Sequence, residues 1–362
     1  MKTKKCIMIA GGGTGGHIYP AVAIGRALIA ANSDYKIRFV GTKQGLEKKI
    51  MTKENLDLDL IYSGKLNFSG NPLIKIKTLL AICIGFFQSI VLIFKHRPAF
   101  VLGVGGYASA PFLLAASLLG SKTAFWEPNA HPGMANRLLS NFVKKSYLVF
   151  AEAAASLKTN NNKIVGMPLR KEIEDARIAT KLKNTKFHIL CFGGSQGSLF
   201  LNQQISNFIL QNSNLHSQIH LIHQTGSADF QNMKNKYAGL SCVEVHEFIF
   251  DMPKFYQKAD VQFCRGGAST IAEAACFGVI PIVVPLPAAD NHQQKNAETL
   301  LKNGAGFMIL QNNFQMQNLK DILNQLMTDL SFRETMTMNL KKLAAHNAAE
   351  VIAKDMLKEI GL

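Results

Sequence analysis

Short apolar runs recur along the chain, each closed by glycine or polar residues and followed by a longer stretch with helical spacing. The runs at 6–10, 37–40, 100–103, 123–126, 147–150, 187–192, 219–223, 261–264 and 281–284 predict strands. Helix-length segments, such as 21–31, 110–119, 199–211 and 270–277, lie between them. Repeated strand–helix alternation predicts parallel sheets with helices on both faces, an α/β fold. The stretch 5–31 reads strand, glycine loop, helix, and 186–211 repeats that order. Two such openings predict two Rossmann-like domains, 1–166 and 167–344. The polar, Asn-rich stretch 158–170, ending around Gly166-Met167-Pro168, is the expected linker, and the last helix, 345–362, is expected to join the first domain.

Residues 79–94 break this rhythm, with sixteen positions and no charge. Lys75 and Lys77 precede the segment, and Lys95, His96 and Arg97 follow it. It is short of the roughly 20 apolar residues of a spanning helix and contains Gln88 and Ser89. Three readings stand: a core helix, a helix lying in the bilayer interface with its cations on anionic headgroups, or a transmembrane span.

A length of 362 residues suits two domains. Residues 1–166 hold 21 Lys+Arg against 7 Asp+Glu, so +14 of the net +16 lies in the first half. That field attracts nucleic acid, acidic lipid or phosphorylated substrates, without choosing among them. Six cysteines without a C-x-x-C pair, mostly in apolar runs, predict buried, reduced thiols rather than a disulfide or zinc framework. The run 6–10 is too short for the core of a secretory leader, so export is not expected.

The candidate chemistry sits where strands end. Gly11-Gly12-Gly13-Thr14-Gly15-Gly16-His17 joins a strand to a helix, with Pro20 suited to its first turn. Glycines let backbone N–H groups approach a ligand at a helix N-terminus. The loop also satisfies G-x-G-x-x-G, but a dinucleotide site expects a carboxylate after the second strand. Here that strand ends Val40-Gly41-Thr42-Lys43. His17 reads equally as a cap or as a catalytic group. Gly193-Gly194-Ser195-Gln196-Gly197 and Gly103-Val104-Gly105-Gly106-Tyr107 are further anion-cradle candidates, the alternative being tight turns. Arg265-Gly266-Gly267-Ala268-Ser269-Thr270-Ile271-Ala272-Glu273 opens another helix. Glu273 reads either as half of a capping box with Thr270 or as a carboxylate gripping a ribose. The polar loop Asp290-Asn291-His292-Gln293-Gln294 offers amides for sugar hydroxyls. Asp57 and Asp59 form a D-x-D within an alternating strand-like run and read as a chance match to a metal motif. His216, His220 and His223 lie in or beside a strand, not on one helix face.

In order and over essentially the whole chain, these motifs resemble the MurG family of peptidoglycan glycosyltransferases, glycosyltransferase family 28. The resemblance implies the GT-B fold, two Rossmann-like domains with parallel sheets facing across a cleft. The family moves GlcNAc from UDP-GlcNAc to the lipid I acceptor, undecaprenyl-diphospho-MurNAc-pentapeptide, forming lipid II for the wall on which cell shape and division depend. It implies His17 as base, with Glu127 in reserve. For the donor it implies Thr14, Gly15, Gly16, Asn129, Arg170, Ser195, Ile249, Ala268, Ser269, Thr270, Ile271, Ala272, Glu273, Gln293 and Gln294, with the backbone of Ile249 on uracil and Glu273 on the ribose. Gly105, Gly106 and Tyr107 are the acceptor-diphosphate candidates. It implies neither metal nor cofactor, a peripheral place on the cytoplasmic face of the inner membrane, an anionic membrane surface and other cell-wall synthesis proteins as partners, and no nucleic acid. Family members often carry His-Glu-Gln-Asn where this chain has Trp126-Glu127-Pro128-Asn129, and Gly-Asn-Pro where it has Gly166-Met167-Pro168. A UDP-GlcNAc 2-epimerase shares the fold and donor but needs no lipid surface. A basic nucleic-acid binder would leave four glycine loops unexplained.

Overall fold

The structure, a computed structural model, describes residues 5–361 apart from 14, 44, 46, 65–71, 178–183 and 289, with the backbone alone at 72–75 and 77. Two compact units emerge: Met1–Arg170 with Asn347–Leu362, and Lys171–His346. The first unit therefore ends at Arg170 rather than at Gly166.

The first unit is built on β1 (Lys5–Ala10), β2 (Tyr35–Thr42), β3 (Leu58–Ile61), β4 (Pro98–Gly103), β5 (Lys122–Glu127), β6 (Lys145–Leu148) and β7 (Asn162–Ile164). They form one parallel sheet in the order β3-β2-β1-β4-β5-β6-β7. The second unit pairs β8 (Phe187–Phe192), β9 (Ile219–Gln224), β10 (Val243–His246), β11 (Val261–Cys264), β12 (Ile280–Val283) and β13 (Phe307–Met308) in the order β10-β9-β8-β11-β12-β13. Each strand order reverses beside the first strand of its unit. In an open α/β sheet a crevice forms at that switch, outside the carboxyl ends of the strands. The loops flanking the two switches are 11–13 with 104–107, and 193–198 with 265–267.

The expected linker holds β7, an edge strand that its polar composition hides. The strand expected at 147–150 ends earlier, at Leu148. The Leu148 carbonyl accepts from both Val165 N (2.9 Å) and Gly166 N (3.2 Å), which closes the ladder. The last helix runs Ala348–Glu359 within the first unit. Asp355 accepts from Tyr147 Oη (2.8 Å) and Lys163 Nζ (2.7 Å), and Lys145 Nζ reaches Glu359 (2.8 Å). These polar ties join the helix to β6 and β7.

The apolar segment lies in a 25-residue helix, Pro72–His96. One side packs on the core: Ser89 and Ile93 are buried, and Phe86 and Ile90 join a cluster that includes Phe112 and Leu113. The other side is an open apolar stripe of Ile76, Leu80, Ile84, Phe87, Val91 and Phe94, with Phe87 66% and Val91 65% exposed. Spacings of three and four residues put these on one helical face. Cys83 is exposed here, unlike the buried thiol expected; all six cysteines are free.

Candidate active site

In the first unit the switch-point loops lock together. Gly12 N donates to Gly105 O (3.2 Å), Val104 N to Ala10 O (2.9 Å) and Gly11 N to Val40 O (2.9 Å). Gly13 N donates to Oε1 of Glu47 (2.9 Å), a buried carboxylate that also accepts from Thr42 N and Oγ1 (both 3.3 Å). Sequence reasoning missed Glu47, because its Lys-rich surroundings read as a solvated helix. Ser63 Oγ holds the Tyr107 carbonyl (2.7 Å). Thr14 lies outside the described residues.

The helix Gly15–Ala31 begins at Gly15, so Pro20 sits in its second turn rather than its first. Lacking an N–H, Pro20 leaves the Gly16 carbonyl without its helical donor. His17 falls in the first turn. A Cβ on Gly105, whose φ is +90°, would stand 2.7 Å from both Nδ1 and Cε1 of the His17 ring. Only glycine tolerates both that backbone and that proximity. Nδ1 is buried with no hydrogen-bond partner among the described residues. Burial lowers the imidazole pKa below 6.5, opposed by the Val104 backbone, so the ring is neutral near pH 7.

Glu127 is 2% exposed at the end of β5. Its Oε1 accepts from Asn129 N (2.9 Å) and Nδ2 (3.1 Å), and its Oε2 from Gly133 N (3.1 Å) and Asn136 Nδ2 (2.8 Å). Burial raises its pKa against these donors. Four donors on two oxygens make it a clamp on the 129–136 segment. This geometry argues against a general base, which needs an oxygen open to substrate. Arg170 stacks over the Tyr19 ring, 5.5 Å from its centroid. Trp126, Pro128 and Met167, the three positions that depart from the family pattern, are buried, and the Trp126 Nε1 has no partner among the described residues.

In the second unit a cavity of about 480 Å³ opens at the switch point, lined by Gly193, Gly194, Gly197, Ser198, Arg265, Gly267, Thr270 and Gln293 together with Leu199, Phe200 and Leu286. Two helices start at it. Ser198 caps Leu199–Gln211 through its side chain, and Ala268–Phe277 starts after Gly267. Helix N-termini present unpaired N–H groups and a partial positive charge, an anion site. A Cβ on Gly197 would lie 2.0 Å from the Thr225 carbonyl, so this loop packs backbone on backbone.

Arg265 adds a fixed cation at the cavity. Its Nη1 donates to Val284 O (3.1 Å), Pro285 O (3.3 Å) and Gln311 Oε1 (2.9 Å). Its Nη2 donates to Ser198 Oγ (2.9 Å), and the guanidinium stacks on Phe200. The sequence marked Arg265 only as the start of a motif and assigned the cation to Arg170, which belongs to the other unit. Gln293 Oε1 accepts from Gly266 N (3.0 Å) and Leu286 N (2.9 Å), so its amide nitrogen is the end left to donate. Gln294 does not line the cavity and donates along its helix to Glu298 (3.2 Å).

Thr270 and Glu273 do not form a capping box: the helix starts at Ala268 behind Gly267, with no side-chain cap. Glu273 accepts from Tyr256 Oη (3.1 Å). Ser195 is exposed on the loop beside the cavity, and Ser269, Ile271 and Ala272 follow in the first turns of the second helix. The Ile249 N–H is engaged by Gln224 Oε1 (2.8 Å). Asp57 and Asp59 are ion-paired, Arg38 Nε lying 2.7 Å from Asp59 and Lys36 Nζ 3.0 Å from Asp57. His223 is enclosed between Asn202 Oδ1 (3.0 Å) and Tyr237 Oη (3.1 Å).

Residues 7–148 match the glycosyltransferase family 28 N-terminal domain, and residues 188–355 its C-terminal domain. The UDP-N-acetylglucosamine–N-acetylmuramyl-(pentapeptide) pyrophosphoryl-undecaprenol N-acetylglucosamine transferase of Bdellovibrio bacteriovorus is 52% identical over 359 residues, covering 99% of this chain and 100% of that protein. Among solved structures, Acinetobacter baumannii MurG superposes with a TM-score of 0.80 at 27% identity, over 98% of this chain and 99% of that one. UDP-GlcNAc 2-epimerase from Neisseria meningitidis reaches 0.67 at 13% identity, over 98% and 100%, a likeness of fold alone. Two parallel switch-point sheets, the glycine loops at their carboxyl ends and this full-length match agree: the chain belongs to the MurG family, glycosyltransferase family 28.

Proposed function

We propose that this chain transfers GlcNAc from UDP-GlcNAc to the 4-hydroxyl of MurNAc in undecaprenyl-diphospho-MurNAc-pentapeptide, with inversion at C1, forming lipid II. The observation that carries the reading is the second unit's cavity, where two helix N-termini, a glycine loop and Arg265 converge on one space. A leaving diphosphate develops negative charge there, and preorganised N–H donors stabilise it without reorganisation. The amide nitrogen of Gln293 suits the sugar hydroxyls, and Glu273 the ribose.

His17 is the base. Its Nδ1 is buried against Gly105, so Nε2 is the reacting nitrogen. Nε2 takes the proton of the acceptor hydroxyl while that oxygen bonds to C1. The C1–diphosphate bond breaks, UDP leaves with the electron pair, and the imidazolium returns its proton to solvent. A positioned base contributes roughly 10²–10⁴ in rate. Glu127 holds Asn129 and the segment up to Asn136 in place, and loop 104–107 takes the acceptor diphosphate.

The helix Pro72–His96 supports a peripheral membrane role on the cytoplasmic face. At about 1.5 Å per residue it is long enough to span a bilayer. One side already packs on the core, however, so lipid cannot surround it. The reading this favours has the open stripe immersed at the interface and Lys95 and Arg97 at headgroup level. Product supply from this surface would feed wall growth, hence cell shape and division. The test of the catalytic assignment is His17→Ala: transfer falls 10²-fold or more while UDP affinity is unchanged. Near-normal turnover in that variant removes His17 as base.

A further inference from the structure

Gln224 closes β9, the strand between β8 and β10, and its Cα pairs with Phe192 on one side and His246 on the other. Both neighbouring strands run on into loops of the donor unit. Gln224 is 4% exposed, and its side chain reaches into both. Its Nε2 donates to the carbonyl of Gly194 (3.0 Å), and its Oε1 accepts from Ile249 N (2.8 Å). Gly194, at φ +89°, lines the cavity, and its carbonyl also accepts from Gly197 N (3.0 Å).

Two donors on one carbonyl fix a peptide plane. In a trans peptide the N–H points opposite to the C=O, so pinning Gly194 O inward turns the Ser195 N–H away from Gln224, toward the open side of the loop. A carboxamide alone among side chains of this shape offers a donor to one loop and an acceptor to the other. Leucine supplies neither, and glutamate supplies two acceptors.

We propose that Gln224 is a positioning residue of the donor site. It sets the direction of a phosphate-facing N–H in loop 193–197 and ties that loop to the segment around Ile249, so the two ends of a nucleoside diphosphate meet one rigid frame. This rests on the reading of the second unit as the UDP-GlcNAc site.

The test uses the full-length protein, with UDP titrated calorimetrically and initial rates measured against both substrates. For Gln224→Glu and Gln224→Leu, the dissociation constant of UDP and the KM of UDP-GlcNAc should rise about tenfold or more, since leucine leaves the Ile249 N–H unpaired and glutamate sets a carboxylate oxygen against the Gly194 carbonyl. The KM of a short-chain acceptor and kcat at saturating donor should stay within about threefold, because donor ordering, not chemistry, is lost. Gln224→Glu keeps the side chain's shape, so it remains informative if Gln224→Leu fails to fold. A purely structural role would lower the thermal midpoint without this split between KM and kcat. Wild-type protein that binds UDP, beside a folded Gln224→Glu that binds it within twofold as well, overturns the proposal alone. Wild-type protein that does not bind UDP overturns the donor reading and the proposal with it.

Discussion

Replacing Gly105 by alanine tests whether the first unit is organised around His17. The new methyl would sit 2.7 Å from Nδ1 and Cε1 of the ring, whereas ordinary contact begins at 3.4 Å, so the ring must withdraw by about 0.7 Å. A displacement approaching 1 Å at a reacting group costs on the order of 10²-fold in rate, or about 2.7 kcal/mol. Holding alanine at φ +90° adds about 1–2 kcal/mol of backbone strain, which lowers stability but not chemistry. The assay is transfer at saturating donor and short-chain acceptor, run as a double-mutant cycle with His17→Ala. Gly105→Ala alone should lose roughly 30–100-fold in kcat. In the His17→Ala background the methyl no longer meets the ring, and the further loss should be no more than about threefold. UDP affinity, a property of the other unit, should not change in any member. An equal loss of kcat in both backgrounds would refute the reasoning, because the methyl would then not be acting through the ring.

With His17 held below the usual imidazole pKa, the acidic limb of kcat/KM should fall below pH 6.5. A limb near 7.5 would show a different base. Introducing glutamate at Phe87 or Val91 should weaken binding to anionic phospholipid vesicles by about tenfold or more, with turnover of a soluble acceptor unchanged. Vesicle binding that ignores both changes would remove the helix from the membrane. His223 is pushed down to about 3 by burial, so the unfolded chain binds a proton below pH 6.5 that the native state refuses. Its contribution is present above pH 6.5 and is lost as pH falls toward 3, at about 1.4 kcal/mol per pH unit. In urea titrations the deficit of His223→Gln should shrink by about 2 kcal/mol between pH 7 and pH 5, and a constant deficit would contradict this.

Strand cores and glycine loops were legible in the sequence because both are local signals. A strand buried on two faces must be apolar throughout, and a loop that packs backbone on backbone must be glycine, as Gly106 and Gly197 are. What stayed hidden is whatever depends on a partner distant in sequence. Asn162–Ile164 reads as linker because an edge strand needs no apolar run. Glu47 reads as a solvated charge until Gly13 and Thr42 fold around it. Gln224 carries no pattern of its own and Arg265 shows only as the start of a motif, since their partners, backbone and side chain, come from loops far along the chain. Glu127 shows the converse. It stood in reserve as a base behind His17, whereas its four donors make it a clamp. The segment 79–94 was readable as an unusual helix, but only packing decides that Ser89 and Ile93 face inward while Phe87 and Val91 face out.

The most direct measurement is transfer of labelled GlcNAc from UDP-GlcNAc to a short-chain lipid I analogue, in EDTA, with the released UDP quantified and the new anomeric bond assigned by NMR. The expected result is a β-linked disaccharide product formed one-for-one with UDP at a rate that EDTA does not change. UDP bound but no sugar transferred, or ManNAc and UDP appearing from UDP-GlcNAc alone, would contradict the account.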